Sequence, residues 1–286
     1  MNEIALKIEG PTPGEGIPLH LVLNSLENFQ AILDKTYLVA SGKQKVTGKD
    51  RDKVYYLNVK DFRKGSLEFR FEIVLKGMQT AMSMLPGFGP DNLWQFTKQA
   101  FDFLKLVFTA AGNGIKPKYQ FKINPGGDFR VHIGDTNYEF KGPVFVIGER
   151  SLPYLQNLAH VLKDGRIAKI LTGEINKEEF VLTSDNHDLF DVKKKPPIDE
   201  VKLECEIFRF NKFTDTGNLK VNKKDQVIPE GKHSFILTDP LKADDFVRAM
   251  LKDKVTLTAQ IEWRINPLSK DEKDEVEKVH VIDIIS

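Results

Sequence analysis

Asp215, Thr216 and Gly217, within "FNKFTDTGNLKV" (Phe210 to Val221), form the tripeptide on which an aspartic protease carries its reactive carboxylate. That reaction needs two adjacent carboxyl groups sharing one proton, so that one acts as acid and the other as base. The chain has no second Asp-Thr-Gly or Asp-Ser-Gly, and Thr214 and Asn218 flank the triplet where apolar and small residues would be needed. A Thr-Asp-Thr-Gly-Asn run between two strands is hairpin chemistry, which places Asp215 in a turn. In "SDNHDLFD", Asp185, His187, Asp188 and Asp191 have the ligand types for a divalent ion. The other histidines lie far away with no ligand spacing, so this stretch reads as a solvated polar loop without metal. "PGFGPD" (Pro86 to Asp91) precedes a helix whose amino end attracts anions. It lacks the dinucleotide fingerprint and the P-loop lysine, and Asp91 would repel a phosphate, so no cofactor is expected. There is no Gly-x-Ser-x-Gly elbow, and the lone cysteine, Cys205, lies in an alternating apolar strand. No catalytic residue survives this reading, and the chain is expected not to be an enzyme.

Charge narrows the partners less than it narrows the chemistry. Lys and Arg number 42 against 41 Asp and Glu, so no global field draws the chain to nucleic acid or to an anionic membrane. Local groups must carry any such contact. Arg209, Lys220, Lys223, Lys224 and Arg264 are the expected phosphate contacts if the C-terminal part binds a nucleotide or a single strand. Two further basic runs, "GKQKVTGKDRDK" (Gly42 to Lys53) and Lys193 to Lys195, read as flexible surface able to meet an acidic partner. One cysteine excludes an intrachain disulfide and fits a reducing compartment, and neither a secretory start nor an uncharged apolar span is present. The expectation is a cytoplasmic protein with no membrane contact.

These groups need elements to hold them. Ile4, Leu6 and Ile8 alternate as a strand. Pro18 then opens a helix whose core face is read as Leu19, Val22, Leu23, Leu26, Phe29, Leu33 and Ala40, capped by Gly42. Strands are expected over Lys53 to Asp61 and Ser66 to Lys76, joined by a turn at Gly65, and a long apolar helix over Asp91 to Ala111. A meander follows, "YQFKI", "FRVHI", "YEF" and "VFVIG". Ser151 caps a helix to Lys163, and a strand covers Ile167 to Thr172. Two domains are expected, 1–192, with room for a sub-boundary near 115, and 200–286, separated by the Lys-Pro linker 193–199. The second reads as strands Val201 to Phe210, Leu219 to Val221 and His233 to Thr238, a helix Asp239 to Lys252, and strands Val255 to Ile265 and Val279 to Ile285. That is the β-β-β-α-β-β succession of an OB-fold, a small barrel whose sheet face and loops hold oligonucleotides or sugars, and another small barrel or sandwich with an inserted helix satisfies the same order. Between Ile198 and Ser286 there are 15 Lys or Arg and 18 Asp or Glu, a net of −3, and Trp263 falls on the core side of its strand, so no stacking platform is visible. The fold class is α+β with a C-terminal barrel.

The early helix "LHLVLNSLENFQAIL", the hairpin "YYLNVKDFRKGSLEFRFEIVL" with its Phe-x-x-Gly-Ser-Leu stretch (Phe62 to Leu67), and the aromatic-rich helix after them resemble bacterial and phage proteins without an assigned activity. The resemblance covers roughly the first 115 residues. It implies an interaction role, in bacterial antiviral defence or phage counter-defence, rather than catalysis. The expected function is a non-catalytic binding protein that contacts another protein or its own copies. The alternative is nucleotide or single-strand binding by the OB-like domain.

Overall fold

The computed structural model describes residues 3–12, 16–63, 67–76, 90–122, 127–175, 177–195, 200–222, 227–239, 243–270 and 274–285. The chain divides into two compact units, Met1–Asp191 and Val192–Ser286. The class is α+β, and the second unit is a small closed barrel.

The first unit is built on an antiparallel sheet of β1 (Glu3–Glu9), β2 (Tyr55–Arg63), β3 (Leu67–Leu75), β7 (Lys169–Glu174) and β8 (Phe180–Thr183), in the order β2-β3-β1-β7-β8. Period-2 alternation buries Ile4, Leu6, Ile8, Phe71 and Ile73 on one face. Helices α1 (Leu19–Ser41), α3 (Pro90–Gly112) and α4 (Pro143–His160) pack together and supply rings to that face. Phe29 lies 5.8 Å from Phe71, and Tyr37 stacks on Tyr55 at 4.4 Å.

Helix α1 begins after Pro18 and ends at Gly42, whose φ of 66° is the left-handed conformation that glycine adopts without strain. Its buried stripe runs through Leu21, Val22, Ser25, Phe29, Ile32, Leu33, Thr36 and Tyr37. Leu19 and Leu23, expected inside, are 70% and 48% exposed. The buried arc centres on the Leu21, Ser25 and Ile32 side of the helix and leaves those two leucines outside it.

Helix α3 is covered on most of its circumference, as its narrow polar stripe requires. Leu93, Trp94, Phe101, Phe103, Leu104, Val107 and Phe108 are all buried, so no exposed apolar helix remains there. Beside it a three-stranded meander, β4 (Lys118–Phe121), β5 (Phe129–Ile133) and β6 (Thr136–Phe140), packs Phe129 against Phe103.

Further expectations fail in this unit. "VFVIG" is the start of α4 rather than a strand, and Ser151 is a buried interior residue of that helix rather than its cap. Pro143 in the first turn sets the helical φ. The buried positions Val144, Ile147, Gly148, Ser151, Leu155 and Leu158 then follow three- and four-residue spacing, which overrides β-branched propensity. The basic run after Gly42 forms helix α2 (Gly48–Lys53), with a capping box between Thr47 and Asp50. Two of its charges are matched internally, Lys43 by Asp50 and Arg51 by Asp34 at 2.6 Å. The turn at Gly65 and the loop Pro86 to Gly89 lie outside the described residues.

The second unit contains β9 (Lys193–Lys195), β10 (Glu200–Asn211), β11 (Thr216–Val221), β12 (Gly231–Leu237), helix α5 (Ala243–Ala249), β13 (Val255–Ile265) and β14 (Glu275–Ile285). The order β10-β11-β12-β14-β13 closes into a five-stranded ring, because β10 pairs with β13 through Glu200 to Cys205 and with β11 through Glu206 to Asn211. Strands β12 and β14 run parallel, and the other ring pairs antiparallel. This is the connectivity of an OB-type barrel. Leu203, Cys205, Ile207, Leu219, Phe235, Phe246, Leu257 and Val279 fill its interior, and Trp263 packs against that core. Lys193 to Lys195, read from sequence as linker, is a strand paired with Trp263 to Ile265.

Candidate nucleic-acid interface

The outer surface of β10, β11 and β12 is shaped by one irregularity. Ile207 faces Leu219 and Arg209 faces Asn218, so Phe208 is an extra residue, a β-bulge. Leu203, Cys205 and Ile207 point inward in odd register, and Phe210 resumes the core in even register, its ring 6.1 Å from Phe235 and 5.8 Å from Phe246. The bulge absorbs that phase change and leaves Phe208 and Arg209 both outside. Phe208 is 41% exposed.

The β10–β11 hairpin presents a second ring. Asn211 Oδ1 accepts the Phe213 N–H at 3.0 Å, and Asp215 adopts φ 52°. The Asp215 carbonyl accepts the Leu237 N–H at 2.8 Å, which pins the turn to β12. Asp215 is therefore a turn residue. Gly217 is needed where it stands, since a Cβ there would run into the Phe235 ring and the Arg209 carbonyl. Phe213, at the tip, is 87% exposed.

Each exposed ring has a cation over it. Lys232 Nζ lies 5.4 Å from the Phe208 centroid, and Lys212 Nζ lies 5.5 Å from that of Phe213. Lys220 and Lys232 face each other across β11 and β12, a like-charge pairing that destabilises a sheet, offset in part by Glu206 on the other side of Lys220. Among the described residues, Arg209, Lys212, Lys220 and Lys232 take part in no ion pair. Elsewhere in the barrel several cations are matched, while among the described residues Lys202, Arg248, Lys252 and Lys278 likewise take part in no ion pair. Arg264 is held by Glu275 at 2.6 Å and Glu277 at 3.4 Å, Lys194 by Glu277 at 3.0 Å and Glu262 at 3.4 Å, and Lys254 by Glu204 at 2.8 Å.

Of the five expected phosphate contacts, Arg209 and Lys220 share this face. Arg264 stands on β13 with its charge matched, and Lys223 and Lys224 lie outside the described residues. Sequence reasoning missed Phe208, Phe213, Lys212 and Lys232. The signal for Phe208 was the apolar sequence 205, 207, 208, 210, which breaks period-2 alternation in mid-strand.

The other candidate chemistries are not assembled. Thr183 caps a turn over Ser184–Asn186, His187 Nδ1 bonds the Ser184 carbonyl at 2.8 Å, and Asp191 meets His160 Nε2 at 2.8 Å. Among the described residues no three His, Cys, Asp or Glu side chains are grouped to hold a metal ion. Burial pushes the Cys205 thiol up to about 12, which leaves it protonated and unreactive at neutral pH. Among the described residues no helix is long and apolar enough to cross a membrane. No protein-family model, curated protein or solved structure matches the chain.

Proposed function

We propose that the barrel binds single-stranded nucleic acid across β10, β11 and β12, with bases stacked on Phe208 and Phe213 and phosphates on Arg209, Lys212, Lys220 and Lys232. One observation carries this reading: exposed phenylalanines beside cations that among the described residues take part in no ion pair, on the face and hairpin with which OB-type barrels hold ligands. Stacking accepts any base, so the binding has little sequence preference. Duplex DNA hides its base faces and binds weakly. The unit's balance of 18 Lys or Arg against 18 Asp or Glu over Val192–Ser286 does not oppose this, and Glu262, Glu275 and Glu277 are engaged by Arg264 and Lys194. No catalytic step is required of a protein acting in this way.

Fluorescence anisotropy of the full chain with labelled single-stranded DNA and RNA, against a duplex control, tests the reading. Binding should fall with salt at a slope of roughly −0.7 per phosphate contact, about −2.8 if all four cations engage. No binding to any single strand at low salt rejects it.

A second reading, contact with another protein or a second copy, draws on Val247, Met250 and Leu251 at the end of α5, the last 88% exposed. Light scattering after size exclusion tests the second-copy form. A mass that falls when Leu251→Ser is introduced supports it, and a monomer at every concentration rejects it.

A further inference from the structure

The first unit carries a groove of about 580 Å³ between α1 and α4, within the size range of small-ligand sites. One wall is a stripe of α1 at three- and four-residue spacing, His20, Leu23, Asn24, Glu27 and Asn28, and the other is one turn of α4, Tyr154 and Asn157. We propose that this groove binds a neutral saccharide.

The chemistry of the walls selects that class. A sugar hydroxyl donates and accepts at once, and so does each carboxamide, imidazole and phenol here. The carboxamides are ordered in advance: the Asn28 amide nitrogen donates to the Asn24 carbonyl at 2.8 Å and to the Asn24 side-chain oxygen. That leaves the Asn24 NH2 as a donor and the Asn28 Oδ1 as an acceptor on adjacent turns, a spacing suited to neighbouring hydroxyls. Leu23, at 48% exposure, supplies apolar surface for the C–H face of a pyranose ring. No Lys or Arg lines the groove and Glu27 does, which disfavours phosphorylated and acidic ligands. Lys35 lies over the Tyr154 ring at 5.1 Å, outside the residues that line the groove. All of the lining residues belong to the first unit.

Saturation-transfer NMR on the full chain with cellobiose, maltose and N,N′-diacetylchitobiose tests the proposal. Transfer to the ring C–H protons of at least one disaccharide is expected. Its affinity should weaken about fivefold in Tyr154→Phe, which removes one hydroxyl from a half-buried ring, and in Asn157→Ala, which removes one carboxamide from an exposed position. Phe213→Ala should leave it unchanged, which separates this site from the barrel. No transfer from any of the three at millimolar concentration overturns the proposal. So does transfer that both groove variants leave intact, and so does tighter binding of glucose 6-phosphate or adenosine.

Discussion

Phe208 and Arg264 show how differently two residues can be read from sequence. Arg264 is conspicuous as a cation on an exposed face, yet Glu275 and Glu277 consume its charge, and no local pattern announces a pairing made across two strands. Phe208 is inconspicuous, because an apolar residue in an apolar strand reads as core until the bulge is seen. Asp215 was legible, since Asn, Asp, Thr and Gly clustered between strands have a local turn chemistry. Phe208→Ala and Phe213→Ala should each weaken single-strand binding by about tenfold, the effect of one lost stacking contact. Arg264→Ala should change it less than about twofold; anisotropy titrations at fixed salt check all three. Gly217→Ala should destabilise the barrel by about 1–3 kcal/mol or more through forced overpacking against Phe235, measurable as a lower denaturation midpoint. Asp50 has a pH signature. The Lys43 ammonium, helped by Thr47, holds its carboxyl down at about 2. A depressed folded pKa stabilises fully above the unfolded value, so this contribution is present above about pH 4 and is lost as pH falls towards 2. Lys43→Met should flatten the acid side of the stability curve over that interval in a thermal-shift series.

Elements were legible wherever one periodicity dominated. β1, α1, α3 and β13 follow their alternation or helical spacing closely, although the buried arc of α1 lies to one side of the leucines at its start. The beginning of α4 was not, because Val144, Val146 and Ile147 favour strand while only Pro143 and the later spacing favour helix; packing against Phe103 and Leu104 at Gly148 decides it. Helix α2 was available in the Thr47-x-x-Asp50 box but was masked by the run of charges. Thr47→Ala should lower stability by about 1 kcal/mol, as removal of an N-cap does, read by chemical denaturation. Ser151 presents the opposite case, a buried hydroxyl without a hydrogen-bond partner inside α4. Ser151→Ala should be neutral or stabilising by up to about 1 kcal/mol, seen as an unchanged or raised midpoint.

At the scale of the molecule, each unit completes its own core, and the barrel interior is formed entirely from 203–281. A single-stranded oligonucleotide should therefore raise the unfolding temperature of one transition in calorimetry and leave the other in place. The ring order was partly legible, as the succession of strands and helix named the topology, but its closure depends on β10 changing partner halfway along, which only register reveals. That closure reaches beyond ligand binding. Once β10 has joined β13 to β11, each of the five ring strands has a neighbour on both sides, and among the described residues the one strand appended outside the ring, β9, is a short edge of three consecutive lysines. Ribbon-like growth from barrel to barrel is thereby discouraged, since the edge that remains is short and repels its own copy through like charge.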